Sequence, residues 1–344
     1  MTPDLLLTVV VPTFDRGAEL ATTVATLYAS EVSTPGAIEL VVVDDGSARP
    51  VEPVVRRLAP PRRFATRVVH QENQGVGAAR NHGFRQARGA VVLFVDDDMV
   101  LLPDTLQGHL DAHSLAPGAV VFGRSPYVTQ EARTPFTAWV AGLPNDPYLG
   151  AGGLVPVEVV ASGHLSVERA TVAGWERFYS DDMRTPVAEE YELSHRLASR
   201  GIPVFLAPDV VALHNRQVSL AAFLRQQYGH GKGCGEASRR APESLAVGDL
   251  RAVVERHTRT GPGALPWSLL RTAAGCRLLS RLAGAADRGW VPRRARSVAF
   301  TAAAGASFSA GVRDGLRDRP GRPQAGSRAP ARRRLRSGAR FARG

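Results

Sequence analysis

The chain has 344 residues, of which 44% are hydrophobic, so it is long enough to bury a sizeable core. Its formal net charge of +11 is concentrated at one end, where residues 317–344 hold ten arginines and a single acid, Asp318. The remainder is close to neutral, which argues against a nucleic-acid-binding protein with basic residues spread over its fold. Cys234 and Cys276 form no CxxC pair, which excludes a cysteine zinc site and a disulfide framework.

No export or membrane-spanning segment is expected. Residues 5–11 are too short for the apolar region of a signal peptide, and residues 297–312 are too rich in Ala, Gly and Ser to span a bilayer. Residues 317–344 are predicted to be disordered, and they are either a solvated extension or a contact with anionic lipid, acidic polymer or nucleic acid. We therefore expect a cytoplasmic protein, free or peripheral at the inner face of the membrane, with no specific nucleic-acid partner.

Strand and helix patterns alternate along the first part of the chain. Strands are predicted at residues 5–11, 38–43, 67–70, 90–95 and 119–122, and helices at residues 18–30, 78–86 and 103–114. The strands are apolar throughout, which is typical of strands buried on both faces of a parallel sheet. This order predicts an α/β fold whose ligands bind outside the carboxyl ends of the strands.

Three consecutive acids, Asp96, Asp97 and Asp98, end the fourth predicted strand. Because successive strand side chains point to opposite faces, we expect Asp96 and Asp98 on one side and Asp97 on the other. Paired oxygen ligands at the end of a buried strand suit a hard divalent cation, which in turn holds a diphosphate. The alternative is a solvated acidic turn before the next helix.

The loop before the second helix carries Gly75 and Gly77, but the phosphate-binding patterns G-x-G-x-x-G and G-x-x-x-x-G-K-[ST] are both missing from it. A dinucleotide fold and a P-loop are therefore disfavoured, and the two glycines are expected to permit a tight turn and close packing. Arg80 lies on the first turn of this helix. If it is buried it reaches a phosphate or an acid, and if it is exposed it does neither.

The second half of the chain is predicted to begin with a strand at residues 157–161 and a helix at residues 167–173. Two short apolar runs, residues 204–207 and 210–213, then end at His214. A single His after a strand is usually structural, but a neutral imidazole is also a candidate third metal ligand beside a diphosphate.

A further helix begins at Ala188. Its residues Glu190, Leu193 and Leu197 share one face, so Glu190 points inward at the positive N-terminal end, where a carboxylate can act as a general base. The alternative is an ordinary acidic first turn. Glu189 is expected to be outward or structural.

Residues 220–228 are predicted to start a helix that gives way to a flexible basic loop at residues 229–233, able to close over phosphates. From residue 243 to residue 316 the pattern is that of amphipathic helices. These helices are a helical cap, a dimer surface or a membrane-surface contact, and the pattern does not choose among them.

Five motifs, in chain order, resemble the family 2 glycosyltransferases of GT-A fold: VVPTFDR, VVVDDGS, ENQGVGAARNHG, VLFVDDDM and EEYELSHRL. The likeness covers roughly residues 5–215. It implies a Rossmann-like, mostly parallel sheet flanked by helices, with a C-terminal helical appendage. The implied domains are a transferase domain at residues 1–220, divided into a nucleotide-binding half (1–123) and an acceptor half (124–220), then a helical region (221–316) and the tail (317–344).

The resemblance also implies roles for individual residues. The nucleotide-sugar site would comprise Pro12, Thr13, Asp15, Asp45, Arg80, Asp96 and Asp97. Asp96 and Asp98 would be the DxD pair that binds Mn2+ or Mg2+, with His214 near the metal or the diphosphate. Glu190 would be the catalytic base, although the family usually has Asp there. His164 stands where the family often has Asn.

The implied reaction is inverting, metal-dependent transfer of a sugar from a UDP- or dTDP-sugar to an acceptor hydroxyl, without a covalent enzyme intermediate. Two other functions compete with it. A sugar-1-phosphate nucleotidyltransferase would need a Gly-rich basic loop after the first strand, where this chain has Thr13-Phe14-Asp15-Arg16. A non-catalytic binding protein would act through the basic tail.

Overall fold

The computed structural model describes residues 5–126, 134–141, 152–155, 162–183, 185, 187–215, 219–246, 250–258 and 273–317. Nine strands lie within these ranges: β1 (Leu5–Thr13), β2 (Ala37–Asp44), β3 (Phe64–His70), β4 (Val91–Val95), β5 (Met99–Leu101), β6 (Val120–Arg124), β7 (Gly153–Val155), β8 (His164–Glu168) and β9 (Val204–His214). They form one mixed sheet in the order β3-β2-β1-β4-β8-β6-β9-β5, with β7 also paired to β9.

The same ranges contain ten α-helices: α1 (Gly17–Tyr28), α2 (Glu52–Arg56), α3 (Val76–Gln86), α4 (Thr105–Leu115), α5 (Pro135–Ala141), α6 (Ala188–Ser199), α7 (Leu220–Arg240), α8 (Leu250–Thr258), α9 (Ala273–Asp287) and α10 (Arg293–Arg317). A short 3₁₀ helix, Pro242–Ala246, follows α7. None of the helices in the described ranges is long and apolar enough to cross a membrane.

The first half of the sheet is parallel. Strands β3, β2, β1 and β4 run in one direction, and β8 lies antiparallel between β4 and β6. The carboxyl ends of β1, β2 and β4 therefore meet at one edge, where Thr13 lies beside Asp44 in register. This arrangement confirms the predicted α/β class, and α7 to α10 confirm the C-terminal helices.

Both faces of the parallel strands are buried, as their uniform apolarity predicts. Val9 and Val11 of β1 pack in one core cluster with Leu20 of α1, whereas Val10 packs in a second cluster with Ala79 of α3. All five side chains are fully shielded from solvent. Helices thus cover both faces and leave only the strand ends open to a ligand.

Two predicted elements are wrong. The segment predicted as a helix at residues 167–173 is instead β8 followed by turns, because Leu165 and Val167 alternate with Ser166 across the two faces of the strand. The predicted loop at residues 229–233 is the middle of the continuous helix α7. The strand predicted at residues 157–161 and the tail beyond residue 317 lie outside the described residues.

Close packing against α10 explains why α7 continues through its glycine-rich stretch. A Cβ atom on Gly231 would overlap the backbone of α10 at Phe308, and one on Gly311 would overlap the carbonyl oxygen of Tyr228. The two helix backbones therefore lie in direct contact along a seam that residues with side chains would hold apart. These glycines allow α7 to pack closely on α10, and they do not form a loop.

Candidate active site

A pocket of about 510 Å³ lies at the carboxyl edge of the sheet. Nine of the ten side chains predicted for the site line it: Pro12, Thr13, Asp45, Arg80, Asp96, Asp97, Asp98, Glu190 and His214. They come from the ends of β1, β2, β4 and β9 and from α3 and α6. Segments far apart in the chain are thus gathered around one cavity, as expected for ligand binding in an α/β sheet.

The three consecutive acids divide between two arginines. Arg16 donates to Asp97 Oδ1 and to Asp98 Oδ2, each at 2.7 Å, while Arg80 donates to Asp96 Oδ1 at 2.7 Å. The expected alternation, with Asp96 and Asp98 on one side, is wrong because β4 ends at Val95 and the chain turns through the acids. All three carboxylates nevertheless line the pocket.

The neighbouring acids Asp97 and Asp98 differ in their ionisation. Burial raises the pKa of Asp97 to about 7, in spite of the charge on Arg16 and a 2.7 Å hydrogen bond from Thr13 Oγ1. Burial also disfavours the charge on Asp98, but hydrogen bonds from His214 and Arg16 hold the pKa of Asp98 well below its ordinary value. Asp98 is therefore more firmly ionised than Asp97.

His214 is brought to Asp98 by strand pairing. It ends β9 opposite Met99 of β5, and its Nδ1 lies 3.5 Å from Asp98 Oδ1. The backbone of the next residue, Asn215, donates to the carbonyl oxygen of Asp98 at 2.8 Å, which fixes the two segments together. The structure thus brings two of the three predicted metal ligands, Asp98 and His214, next to each other.

The third predicted ligand, Asp96, is turned to Arg80. Among the residues that the structure describes, no group of three or more His, Cys, Asp or Glu side chains is assembled as a metal site. The chemistry of the pair is still suitable, because an ionised carboxylate beside an imidazole offers the oxygen and nitrogen donors that Mn2+ accepts. Asp98 and His214 are therefore of the right chemical type to hold a divalent cation.

Arg80 is buried, which decides between the two possibilities left open by the sequence. In addition to its ion pair with Asp96, its Nη1 lies 3.4 Å from Glu189 Oε1 and its guanidinium lies 5.3 Å from the centre of the Tyr179 ring. Burial alone would lower the pKa of Arg80, but the surrounding negative charge raises it, so the side chain is a permanent cation in the pocket wall.

Both glutamates at the start of α6 face the pocket. Glu190 accepts a hydrogen bond from the backbone of Ser162 at 2.9 Å, and burial raises its pKa. Glu189 is buried beside Arg80, and burial together with the neighbouring Glu190 raises the pKa of Glu189 above its ordinary value. Of the two expectations for Glu189, outward or structural, the structure supports the second, because the side chain is buried and its Oε1 lies 3.4 Å from Arg80 Nη1. Val187, the residue before this helix, has a φ of 78°, a left-handed backbone conformation that is rare for a β-branched residue.

Asp45 and Asp15 organise loops beside the pocket. Asp45 accepts hydrogen bonds from Gln71 Nε2, from the backbone of Gln74 and from the backbone of Gly75, at 2.7 to 2.9 Å. It ties the loop before α3 to the end of β2. Asp15 is not one of the lining residues, because its carboxylate turns to the backbone of Ala48 at 2.7 Å.

A buried histidine chain, absent from the sequence prediction, lies behind the pocket wall. His164, which lines the pocket, contacts His109 through their Nε2 atoms at 2.9 Å. His109 Nδ1 and His113 Nε2 each lie 2.8 Å from Ser166 Oγ. Burial lowers the pKa of His113 and of His164 to about 4, so both are neutral near pH 7. The available signal was the spacing of His109 and His113, four residues apart on one helix face.

The fold is shared with solved glycosyltransferase structures. Mannosyltransferase PcManGT from Pyrobaculum calidifontis, solved in complex with GDP-Man and Mn2+, superimposes with a TM-score of 0.54 at 20% identity, over 90% of this chain and 87% of that one. S. aureus TarS 1-349 gives a TM-score of 0.50 at 15% identity, over 90% and 91% of the two chains. This likeness confirms the predicted GT-A fold.

Sequence comparison finds a likeness over part of the chain. Residues 8–151 match the family model described as glycosyl transferase family 2. Validoxylamine A glucosyltransferase of Streptomyces hygroscopicus subsp. limoneus is 40% identical over 121 residues, which are 34% of this chain and 26% of that protein. The match thus spans about a quarter of that relative. The comparisons together support a transferase with a family 2 glycosyltransferase domain.

Proposed function

We propose that this protein is an inverting, metal-dependent glycosyltransferase that moves a sugar from a nucleoside-diphosphate sugar to an acceptor hydroxyl. The observation that carries the proposal is that two different groups line one cavity. One is Asp98, whose pKa is lowered and whose carboxylate lies beside His214, and the other is Glu190, whose pKa is raised by burial.

Donor binding falls to the edge formed by β1, β2 and β4. Pro12, Thr13 and Asp45 line the cavity there and would contact the nucleoside, for which uridine or thymidine is our expectation. Arg80 supplies a fixed positive charge within reach of a diphosphate. Asp98 and His214 would hold Mn2+ or Mg2+, with Asp96 and Asp97 beside them, and the bound cation would neutralise charge growing on the departing nucleoside diphosphate.

Glu190 is the proposed general base. Its Oε1 is held by the backbone N–H of Ser162, which aims the carboxylate into the cavity. A raised pKa brings the carboxylate closer to the basicity at which proton abstraction from a hydroxyl is effective. As the acceptor oxygen attacks the anomeric carbon from the face opposite the diphosphate, Glu190 takes the hydroxyl proton and the bond from carbon to the diphosphate oxygen breaks.

Glu189 is less suited to this step, although it lines the same cavity. Its Oε1 is paired with Arg80 and its side chain is 2% exposed, so it is both engaged and shielded from an incoming acceptor. We assign Glu189 to positioning Arg80. The proposed division of the chain follows from these roles, with nucleotide binding in residues 1–123, acceptor binding in residues 124–220 and a supporting helical region in residues 221–316.

The first test is thermal unfolding with a panel of nucleoside diphosphates and sugar nucleotides, each with and without Mn2+. We expect a Mn2+-dependent rise in Tm with one nucleotide for the wild type and for the exposed control Asp209→Ala, and no rise for Asp98→Ala. The absence of any nucleotide-dependent shift in the wild type would overturn the proposal.

The second test follows the reaction itself with the donor found in the first. NMR of the newly formed glycoside should show the anomeric configuration opposite to that of the donor. Retention of configuration would contradict the assignment of Glu190 as a base in a single displacement. Release of pyrophosphate from a nucleoside triphosphate and a sugar phosphate would instead identify a nucleotidyltransferase.

A further inference from the structure

The helices α9 and α10 form a hairpin whose inner face is firmly packed. Phe300 of α10 lies in an aromatic cluster with Phe136 and Trp139 of α5, with ring centres 5.4 to 6.0 Å apart. Ala283 and Ala286 of α9 are completely buried in the same cluster. The hairpin is therefore held in one orientation on the body of the protein, and its outer face is fixed in turn.

The outer face exposes large apolar side chains. Leu278 and Leu282 of α9 are 53% and 45% exposed, Trp290 in the connecting turn is 74% exposed, and Val298 of α10 is 67% exposed. These four are half of the eight exposed large hydrophobic residues in the described part of the chain, although they fall within 21 consecutive residues. An apolar concentration of this kind on a packed helix pair indicates a contact surface.

The exposed surface of the same hairpin is strongly positive. Residues 273–298 contain six arginines and one acid, Asp287. Five of the arginines are exposed: Arg277, Arg281, Arg288, Arg293 and Arg294. The acid does not offset them on the outside, because the Asp287 carboxylate accepts a 3.0 Å hydrogen bond from the backbone of Phe136 in α5. The sixth, Arg296, donates to the carbonyl oxygen of Val291.

Trp290 combines both properties at the tip of the hairpin. The Arg288 guanidinium lies 4.4 Å from the centre of its ring, so an exposed indole and a cation are presented together. Tryptophan prefers the level of lipid headgroups, where an amphipathic ring meets both water and acyl chains. Arginines on the polar rim of an interfacial helix bind anionic headgroups, while leucines enter the acyl boundary.

We propose that this surface, Leu278, Leu282, Trp290 and Val298 with the five exposed arginines, docks the protein on an anionic lipid membrane. A nucleic acid would bind the arginines through its phosphates but would leave the two leucines and the valine exposed to water. A second copy of the chain would bring the same uncompensated positive charge against itself. Only an anionic surface with an apolar interior matches both features. The inference does not depend on the proposed sugar transfer.

The test is co-sedimentation of the full chain with vesicles of equal parts phosphatidylcholine and phosphatidylglycerol, compared with phosphatidylcholine alone. We expect binding to the anionic vesicles and much weaker binding to the neutral ones. The double variant Leu278→Ser/Leu282→Ser should bind about tenfold more weakly. Arg281→Gln/Arg288→Gln should lose about fivefold per arginine. The tail beyond residue 317 is intact in every protein, so its contribution is constant.

Matched controls carry the same changes elsewhere on the surface. Leu115→Ser/Leu154→Ser and Arg56→Gln/Arg57→Gln alter exposed residues far from the hairpin in sequence and should bind as the wild type does. A blue shift of tryptophan emission on the anionic vesicles should appear in the wild type and be lost in Trp290→Phe.

Three results would overturn the proposal. One is that the hairpin variants and the control variants bind the anionic vesicles equally well. Another is equal binding to neutral and anionic vesicles, or to neither. The third is a concentration-dependent dimer that Leu278→Ser/Leu282→Ser dissociates without any effect on vesicle binding, since that would assign the face to a second copy of the chain.

Discussion

Arg16 and Asp98 form an ion pair at 2.7 Å, at the position where we propose that the divalent cation binds. The same guanidinium also lies 2.7 Å from Asp97, so a single side chain bridges both carboxylates. A metal ion that binds Asp98 must compete with this arginine, since both cations need the same carboxylate oxygens.

The variant Arg16→Met should therefore bind Mn2+ alone more tightly than the wild type, by about tenfold, because one carboxylate ion pair no longer has to be broken. Isothermal titration with Mn2+ in the absence of nucleotide measures this directly. Arg57→Met, at the exposed residue that follows α2, is the matched control. Weaker Mn2+ binding by Arg16→Met would show that the arginine supports the metal site and does not compete for it.

Replacing the proposed base should separate catalysis from binding. Glu190→Gln should lower kcat by about 10² to 10⁴-fold, while the Kd for the nucleotide changes little, because the amide keeps the shape but cannot accept a proton. Glu192→Gln, on the same helix and paired with Arg196 at 2.9 Å, is the control and should keep its activity. Equal losses in both variants would indicate damage to α6.

The wild-type rate should also depend on pH. Because burial raises the pKa of Glu190, the carboxylate is protonated over a wider acidic range than an ordinary glutamate. The base must be ionised, so kcat should rise as the pH increases through that raised pKa and then level off. A rate that falls over this range would contradict a carboxylate base, and the profile of Glu190→Gln should lack this rise.

The glycine seam between α7 and α10 should be sensitive to a single methyl group. Gly311→Ala should lower the free energy of unfolding by about 1–3 kcal/mol, since its Cβ would overlap the Tyr228 carbonyl oxygen and force the helices apart. Gly305→Ala, on the same helix with nothing within 4 Å of its Cβ position, should raise that free energy by about 1 kcal/mol through helix propensity. Urea denaturation gives both values. A decrease in the free energy of unfolding for Gly311→Ala and an increase for Gly305→Ala would support the close contact between the helices. A decrease in both variants would contradict it.

The buried histidines should make the protein sensitive to mild acid. Burial lowers the pKa of His113 to about 4 from the ordinary value of 6.5. Between those values the unfolded chain binds a proton that the folded chain excludes, so stability falls as the pH drops. From pH 6.5 to about pH 5 the loss is on the order of 2 kcal/mol for one such histidine.

Substitution of this histidine should flatten the pH dependence. The drop in Tm between neutral pH and about pH 5 should be smaller in His113→Gln than in the wild type, even if the variant is less stable at neutral pH after losing the Ser166 contact. His70→Gln, an exposed site on β3, should retain the full drop. An unchanged slope in His113→Gln would mean that other groups dominate acid unfolding.

The parallel half of the fold and nine of the residues that line the pocket could be predicted from the sequence alone. The strands there are continuous apolar runs bounded by polar residues, so both the buried span and the side chains at its carboxyl end are local properties of the chain. Asp45, Asp98 and His214 could be predicted for that reason. Glu190 could be predicted from helical spacing, which is equally local.

The partner that each polar side chain takes depends on contacts between segments that are distant in the chain. Arg16, Arg80 and three consecutive acids offer several pairings of similar local appearance, and the turn after Val95 selects among them. Glu189 is inward because Arg80 and the left-handed Val187 fix the first turn of α6. The glycines of α7 are helical because a second glycine-bearing helix, almost eighty residues away, packs on them. Such contacts depend on residues distant in the chain, so they cannot be predicted from local propensity.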